Sequence, residues 1–139
     1  MDDCFNIKDL RIGDKVIYSQ EIYEIIELTT SEVLIKNNDV NIKVLLKEIS
    51  PIILSLEFII YQLGFITHKS CIPTLKDTYT LDTPKGHIRL SEPTNSIDKE
   101  WSVLIDNLDR DRVGLVEVHT FNELQHFVWD CIKFEFNYK

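Results

Sequence analysis

Between residues 10 and 50 the chain never sustains one hydrophobic pattern for long. Val16-Ile17-Tyr18, Ile22 to Leu28, Val33-Leu34-Ile35-Lys36 and Ile42 to Leu46 are short, rich in β-branched residues and partly alternating. Polar breaks separate them: Ser19-Gln20-Glu21, Thr29-Thr30-Ser31 and the turn-forming Asn37-Asn38-Asp39. Leu10-Arg11-Ile12-Gly13-Asp14 reads as a strand entry with a Gly-Asp turn, ahead of Val16-Ile17-Tyr18. Short strands recurring at about 8–12 residues predict a small curled sheet or an SH3-like barrel.

The pattern changes after Pro51. Leu56, Ile59, Ile60 and Leu63 recur at helical spacing, with Ser55 as N-cap, Glu57 in the first turn and Gly64 as the C′ residue. Strands then return at Phe65–His68, Thr78–Asp82, His87–Leu90, Trp101–Asp106 and Val113–Val118. Thr83-Pro84-Lys85-Gly86 is a turn in which Pro presets φ and Gly tolerates positive φ. Asn107 to Arg112 is a charged hairpin loop, and Ser91–Lys99 reads as a mobile loop. Thr120-Phe121-Asn122-Glu123 matches a capping box and opens a helix over 121–134. The fold expected is α+β: a β lobe, a central helix, and an antiparallel sheet with the terminal helix packed on it. It is one domain over 1–139, divisible into lobes at 1–50 and 51–139.

A chain of 139 residues can build its own core, burying roughly 68% of its unfolded surface. No window approaches a membrane-spanning length of apolar residues, and no membrane partner is expected. The net charge of −8 argues against binding free nucleic acid, whose phosphates are neutralised by Lys and Arg. The N-terminus is acidic and lacks an apolar signal segment, and neither end carries a lipidation motif. Cys4, Cys71 and Cys131 are odd in number, far apart and outside any CxxC, which fits reduced thiols in a cytoplasm.

Four groupings bear on chemistry. His119, Glu123 and His126 stand at i, i+4 and i+7, the spacing of one helical face, and resemble a weak zinc set. The set is not HExxH, His119 precedes the N-cap, and Glu123 is occupied by the capping box. Cys71 has His68 nearby, but nothing supplies an oxyanion hole, so it reads as a structural thiol. Asp106, Asp109 and Asp111 share the hairpin loop with Arg110 and Arg112, without the register of a calcium loop. The aromatic run Phe127, Trp129, Phe134, Phe136 and Tyr138 is either a fraying helix that becomes a strand or a tail that docks on a partner. No P-loop, GxGxxG or GxSxG is present, so neither a catalytic residue nor a cofactor is assigned.

The order of three short anchors resembles a family of small uncharacterised proteins of Bacteroidota genomes and their phages. They are Leu10-Arg11-Ile12-Gly13-Asp14; Ile49 to Leu54 running into a helix that closes with Leu63-Gly64-Phe65; and Val118-His119 with Glu123-Leu124-Gln125-His126. The chain departs from the pattern in carrying Pro51 without an acidic helix start, and in the wider gap between the Val-His and Leu-Gln elements. The resemblance implies a phage-borne accessory protein of the host cytoplasm, and it carries over no reaction. Small acidic phage proteins of that kind commonly bind a host protein, and inhibitors of CRISPR nucleases are one class.

The expected function is therefore non-enzymatic binding to a host defence nuclease, a CRISPR effector or its ribonucleoprotein, by protein–protein contact. Complementary charge would steer it. The residues expected to carry the contact are Glu21, Glu24, Glu27, Asp106, Asp109, Asp111, Trp129 and Tyr138. The alternatives are a homo-oligomeric phage assembly component or a small metal-dependent hydrolase using His119, Glu123 and His126.

Overall fold

The computed structural model describes residues 10–71, 77–93 and 100–136. Cys4, Tyr138 and most of the Ser91–Lys99 loop lie outside them. The chain divides into two compact units, one ending at Ile53 and taking in Thr120–Asn122, the other comprising the rest. The class is mixed α+β and mostly β: two antiparallel sheets and one C-terminal helix.

The first unit holds β1 (Lys15–Tyr18), β2 (Glu21–Leu28), β3 (Glu32–Asn37) and β4 (Val40–Leu45). They pair in chain order as an antiparallel meander that does not close into a barrel. Register explains its core. Val16 faces Tyr23, Ile25 faces Ile35 and Val33 faces Val44, so one face collects the β-branched residues, joined by Leu10 and Ile49. Ser50 closes the unit by exchanging two backbone hydrogen bonds with Ile17, at 2.8 and 2.9 Å. At the other end Phe121 N–H donates to the Ile52 carbonyl at 2.8 Å, beside an Ile53–Thr120 bridge.

Residues 10–14 form the turn that leads into β1. Gly13 sits at φ +99°, and the buried Asp14 carboxylate accepts the Arg11 N–H at 2.9 Å. This is a turn held by its own side chain, because an Asx oxygen competes with strand pairing for the local N–H.

The β1–β2 connection is a two-residue turn with both residues left-handed, Ser19 at φ 51° and Gln20 at φ 69°. That geometry suits the twist of a hairpin but favours Asn-Gly. Gln20→Gly is expected to stabilise the chain by about 0.5–1 kcal/mol, the relief of left-handed strain less the added freedom of the unfolded chain. The check is a higher urea midpoint at unchanged slope.

The second unit begins with a short helical passage. Ser55 Oγ accepts the Phe58 N–H at 3.2 Å, as expected of an N-cap. Phe58–Gln62 then winds as a π-helix, closed by Leu63 N–H to the Phe58 carbonyl at 3.2 Å, and Gly64 leaves it at φ +83°. The sheet follows: β5 (Ile66–His68), β6 (Thr78–Thr83), β7 (Gly86–Ser91), β8 (Trp101–Asp106) and β9 (Arg112–Val118), adjacent in chain order. Tyr79, Ile88, Leu90, Trp101, Val103, Ile105 and Val118 are buried on its inner side.

Helix α1 (Phe121–Ile132) lies against that side. Its C-terminal half packs at two glycines. A Cβ on Gly114 would stand 2.6 Å from both Phe127 Cζ and Cys131 Sγ, and one on Gly86 would stand 3.2 Å from Ile132. The helix stops two residues earlier than its hydrophobic pattern suggests. Lys133 adopts φ 55° and its N–H bonds the Trp129 carbonyl at 2.9 Å, a left-handed termination. Residues 133–136 are not a strand; Phe136 turns inward against Phe65, ring centroids 6.3 Å apart.

Candidate functional site

The inner side of the five-stranded sheet is covered by α1. Its outer side is not, and pairing register fixes what it displays. Ile66 faces Thr80, Thr80 faces Arg89, Arg89 faces Leu104 and Leu104 faces Leu115, a row running across all five strands. The row is apolar at both ends: Ile66 is 64% exposed and Leu115 60%.

Polar rows flank it. On one side stand His68, Thr78, Ser91, Ser102 and Glu117, and on the other Asp82, His87, Asp106 and Arg112. His68 Nε2 and Thr80 Oγ1 are 2.7 Å apart, and His87 Nδ1 stands 2.7 Å from Asp82 Oδ1. A register shift after Ile105 pairs Asp106 with Arg112 and leaves Val113 as the extra residue. That bulge turns Arg112 outward beside Asp106. Aliphatic side chains bordered by fixed charges have the make-up of a docking surface.

Asp109 and Asp111 project from the β8–β9 loop at the end of this face. Asn107 organises the loop: its Oδ1 accepts the N–H of Asp109 at 2.9 Å and of Asp111 at 3.0 Å. The Asn107 N–H donates to the Asp111 carbonyl at 2.8 Å, and Arg110 takes φ 68°. Asp106 thus closes β8 opposite Arg112, and Asp109 and Asp111 lie in the loop that follows.

The three glutamates of β2 do not form one patch. A register shift between Ile25 and Glu27 skips Ile26 and turns Glu24 and Glu27 to the same outer face, while Glu21 takes the opposite parity. Glu24 pairs with Lys15 at 2.6 Å and stands across from Lys36, so this face interleaves both charges. Glu21 accepts the Tyr23 hydroxyl at 3.4 Å, and burial, then the Glu21 charge, push the Tyr23 phenol above its ordinary pKa.

His119 lies before α1 and its backbone N–H donates to Glu123 Oε1 at 2.9 Å. Glu123 thus reaches back, one residue further upstream than the capping box implies. The Thr120 hydroxyl donates to Asn122 Oδ1 at 2.6 Å. Among the described residues no three His, Cys, Asp or Glu side chains gather as a group able to hold a metal ion, so His119, Glu123 and His126 do not form one. Cys71 is exposed. Cys131 is half-buried under β9, where burial raises its thiol pKa and its S–H faces the Val113 carbonyl at 3.8 Å. Trp129 is exposed on α1, with the Lys133 ammonium 5.4 Å from its ring centroid.

The sequence reading missed Ile66, Asp82, His87, Leu104, Leu115 and Glu117. These are outward positions of the expected strands, but the rows they form depend on pairing register and on the bulge at Val113.

The fold is that of a mixed α+β protein, mostly β. No family model matches the chain, and no curated protein or solved structure matches it either. Among the described residues no helix is long and apolar enough to cross a membrane.

Proposed function

We propose that this chain is a non-enzymatic binding protein and that the outer face of its five-stranded sheet is what binds. The observation that carries the reading is the row from Ile66 to Leu115, exposed at both ends, with Leu104 half-buried between them and polar rows on either side. A few desolvated apolar anchors within a polar rim supply most of the energy of a protein interface. The net charge of −8 suits a partner with a basic surface, such as the nucleic-acid channel of a nuclease. The partner proposed is a host defence nuclease, CRISPR effectors first, with the chain acting as a phage or prophage inhibitor. Asp106, Asp109 and Asp111 at the end of the face would meet Lys and Arg on it; Glu21, Glu24 and Glu27 on the first sheet do not share one face and are left out of this site.

The test is affinity capture from a CRISPR-bearing Bacteroidota lysate, with and without nuclease treatment, in parallel with an Ile66→Asp/Leu104→Asp variant. One nuclease recovered in stoichiometric amount by the native chain, and reduced at least tenfold by the variant, is the expected result. Reversing Asp106, Asp109 and Asp111 to Lys should weaken capture and flatten its salt dependence. Recovery unaffected by both variants would overturn the reading.

A further inference from the structure

Arg89 stands on β7, the middle strand of its sheet, and is the one charged residue in the row from Ile66 to Leu115. Neighbouring strands lie about 4.8 Å apart, so each exposed aliphatic end is about 10 Å from Arg89 and the whole row measures about 19 Å. The side chain is exposed, between Thr80 and half-buried Leu104. Among the described residues the Arg89 guanidinium has neither an ion pair nor a hydrogen bond. The carboxylates of the next row have other neighbours: Asp82 holds His87 at 2.7 Å, and Asp106 stands opposite Arg112.

We propose, building on the docking face above, that Arg89 is its central anchor and that the occupant is a protein segment presenting one carboxylate, Asp or Glu, between apolar side chains. A segment seated on both Ile66 and Leu115 also covers Arg89, which lies midway between them. In the free chain water solvates the guanidinium. Once covered, it would be a desolvated charge without a counter-charge, among the costliest groups an interface can leave unpaired. The occupant must therefore bring an acceptor to that point. Backbone carbonyls would take the N–H groups and leave the charge. A carboxylate meets both, through two parallel bonds to the planar fork. A nucleic-acid strand fits poorly, because its further phosphates would fall along Asp82, Asp106 and Glu117 on a chain of net charge −8. Arginines covered in this way are among the residues that dominate the energy of protein interfaces.

The probe is a displayed library of random peptides of about 16 residues, long enough to cross the row even as a helix. Peptides are selected on the native chain and counter-selected on the Ile66→Asp/Leu104→Asp variant, which removes those that bind elsewhere. The survivors should share an Asp or Glu between apolar residues. Replacing that acid by its amide in a synthetic peptide should weaken binding to the native chain by about tenfold or more, read by fluorescence anisotropy. The same replacement should change little on Arg89→Ala, a variant expected to keep the native circular dichroism because the side chain is exposed. Arg89→Lys should fall between the two, keeping the charge and losing the fork. Survivors that share no acid, or that bind Arg89→Ala as tightly as the native chain, would overturn the role of Arg89 and leave the docking face standing. A selection with no survivors would overturn both.

Discussion

Alanine at Gly86 is expected to destabilise the chain by about 3 kcal/mol, the upper range for overpacking a close-packed site. The sequence suggests that glycine stands here to allow positive φ. The structure gives another reason: among the described residues only Gly13 and Gly64 are left-handed glycines. Gly86 is there for space. A Cβ would stand 2.5 Å from the Asp106 carbonyl oxygen and 3.2 Å from two carbons of Ile132. The carbonyl belongs to β8, which pairs with β7 at His87 and Asp106, so it cannot retreat without disturbing the ladder. Gly86 cannot move the other way either. Thr83 Oγ1 donates to its carbonyl at 2.8 Å and accepts its N–H at 3.0 Å. Gly114→Ala should cost less, because the obstructing atoms are side-chain ends of Phe127 and Cys131 rather than backbone. Urea unfolding of the two variants measures the difference; equal losses would mean that the Asp106 carbonyl yields.

Much of the secondary structure was readable, and the reason is local. In β8, Trp101, Val103 and Ile105 are buried and the residues between them are not, so the period of two is written in the chain. In α1, Leu124, Val128 and Ile132 recur every fourth residue and are all buried. The errors came where one side chain or one dihedral overrode the pattern. Lys133 ended α1 early by going left-handed. The π winding of Phe58–Gln62 also left no mark, since its apolar spacing resembles an α-helix over one turn.

The site was less legible because it is a product of register. Asp82, His87, Asp106 and Arg112 are far apart in sequence and become one row through three pairings and one bulge. The bulge at Ile26 had the same kind of effect on the β2 glutamates: a single skipped residue moved Glu27 onto the face of Glu24. Leu10, Ile49, Ile52, Leu54, Leu63, Phe65, Val118 and Leu124 are buried, Gly13 and Gly64 are left-handed, and Asp14 holds a turn. Such residues specify a fold and not a chemistry.

The aromatic run admits core and surface readings, and the structure divides it between them. Phe136 is 9% exposed, packed against Phe65 and, at 5.5 Å between centroids, edge-on to Phe134. Removing a buried Phe ring costs about 3–5 kcal/mol by lost transfer energy and the cavity left behind. The site lies near the chain end, where neighbours relax more freely, so about 3 kcal/mol is expected for Phe136→Ala. Trp129 is 41% exposed, and its fixed neighbour is the Lys133 ammonium 5.4 Å from the ring. An exposed cation–π contact contributes about 0.5–1 kcal/mol, so Trp129→Ala should fall within that range. The check is the urea midpoint of each variant against the native chain. A small loss at Phe136 would mean that the segment after α1 is held only weakly against Phe65. A large loss at Trp129 would mean that its ring is covered in solution, and covered by something other than the residues seen around it.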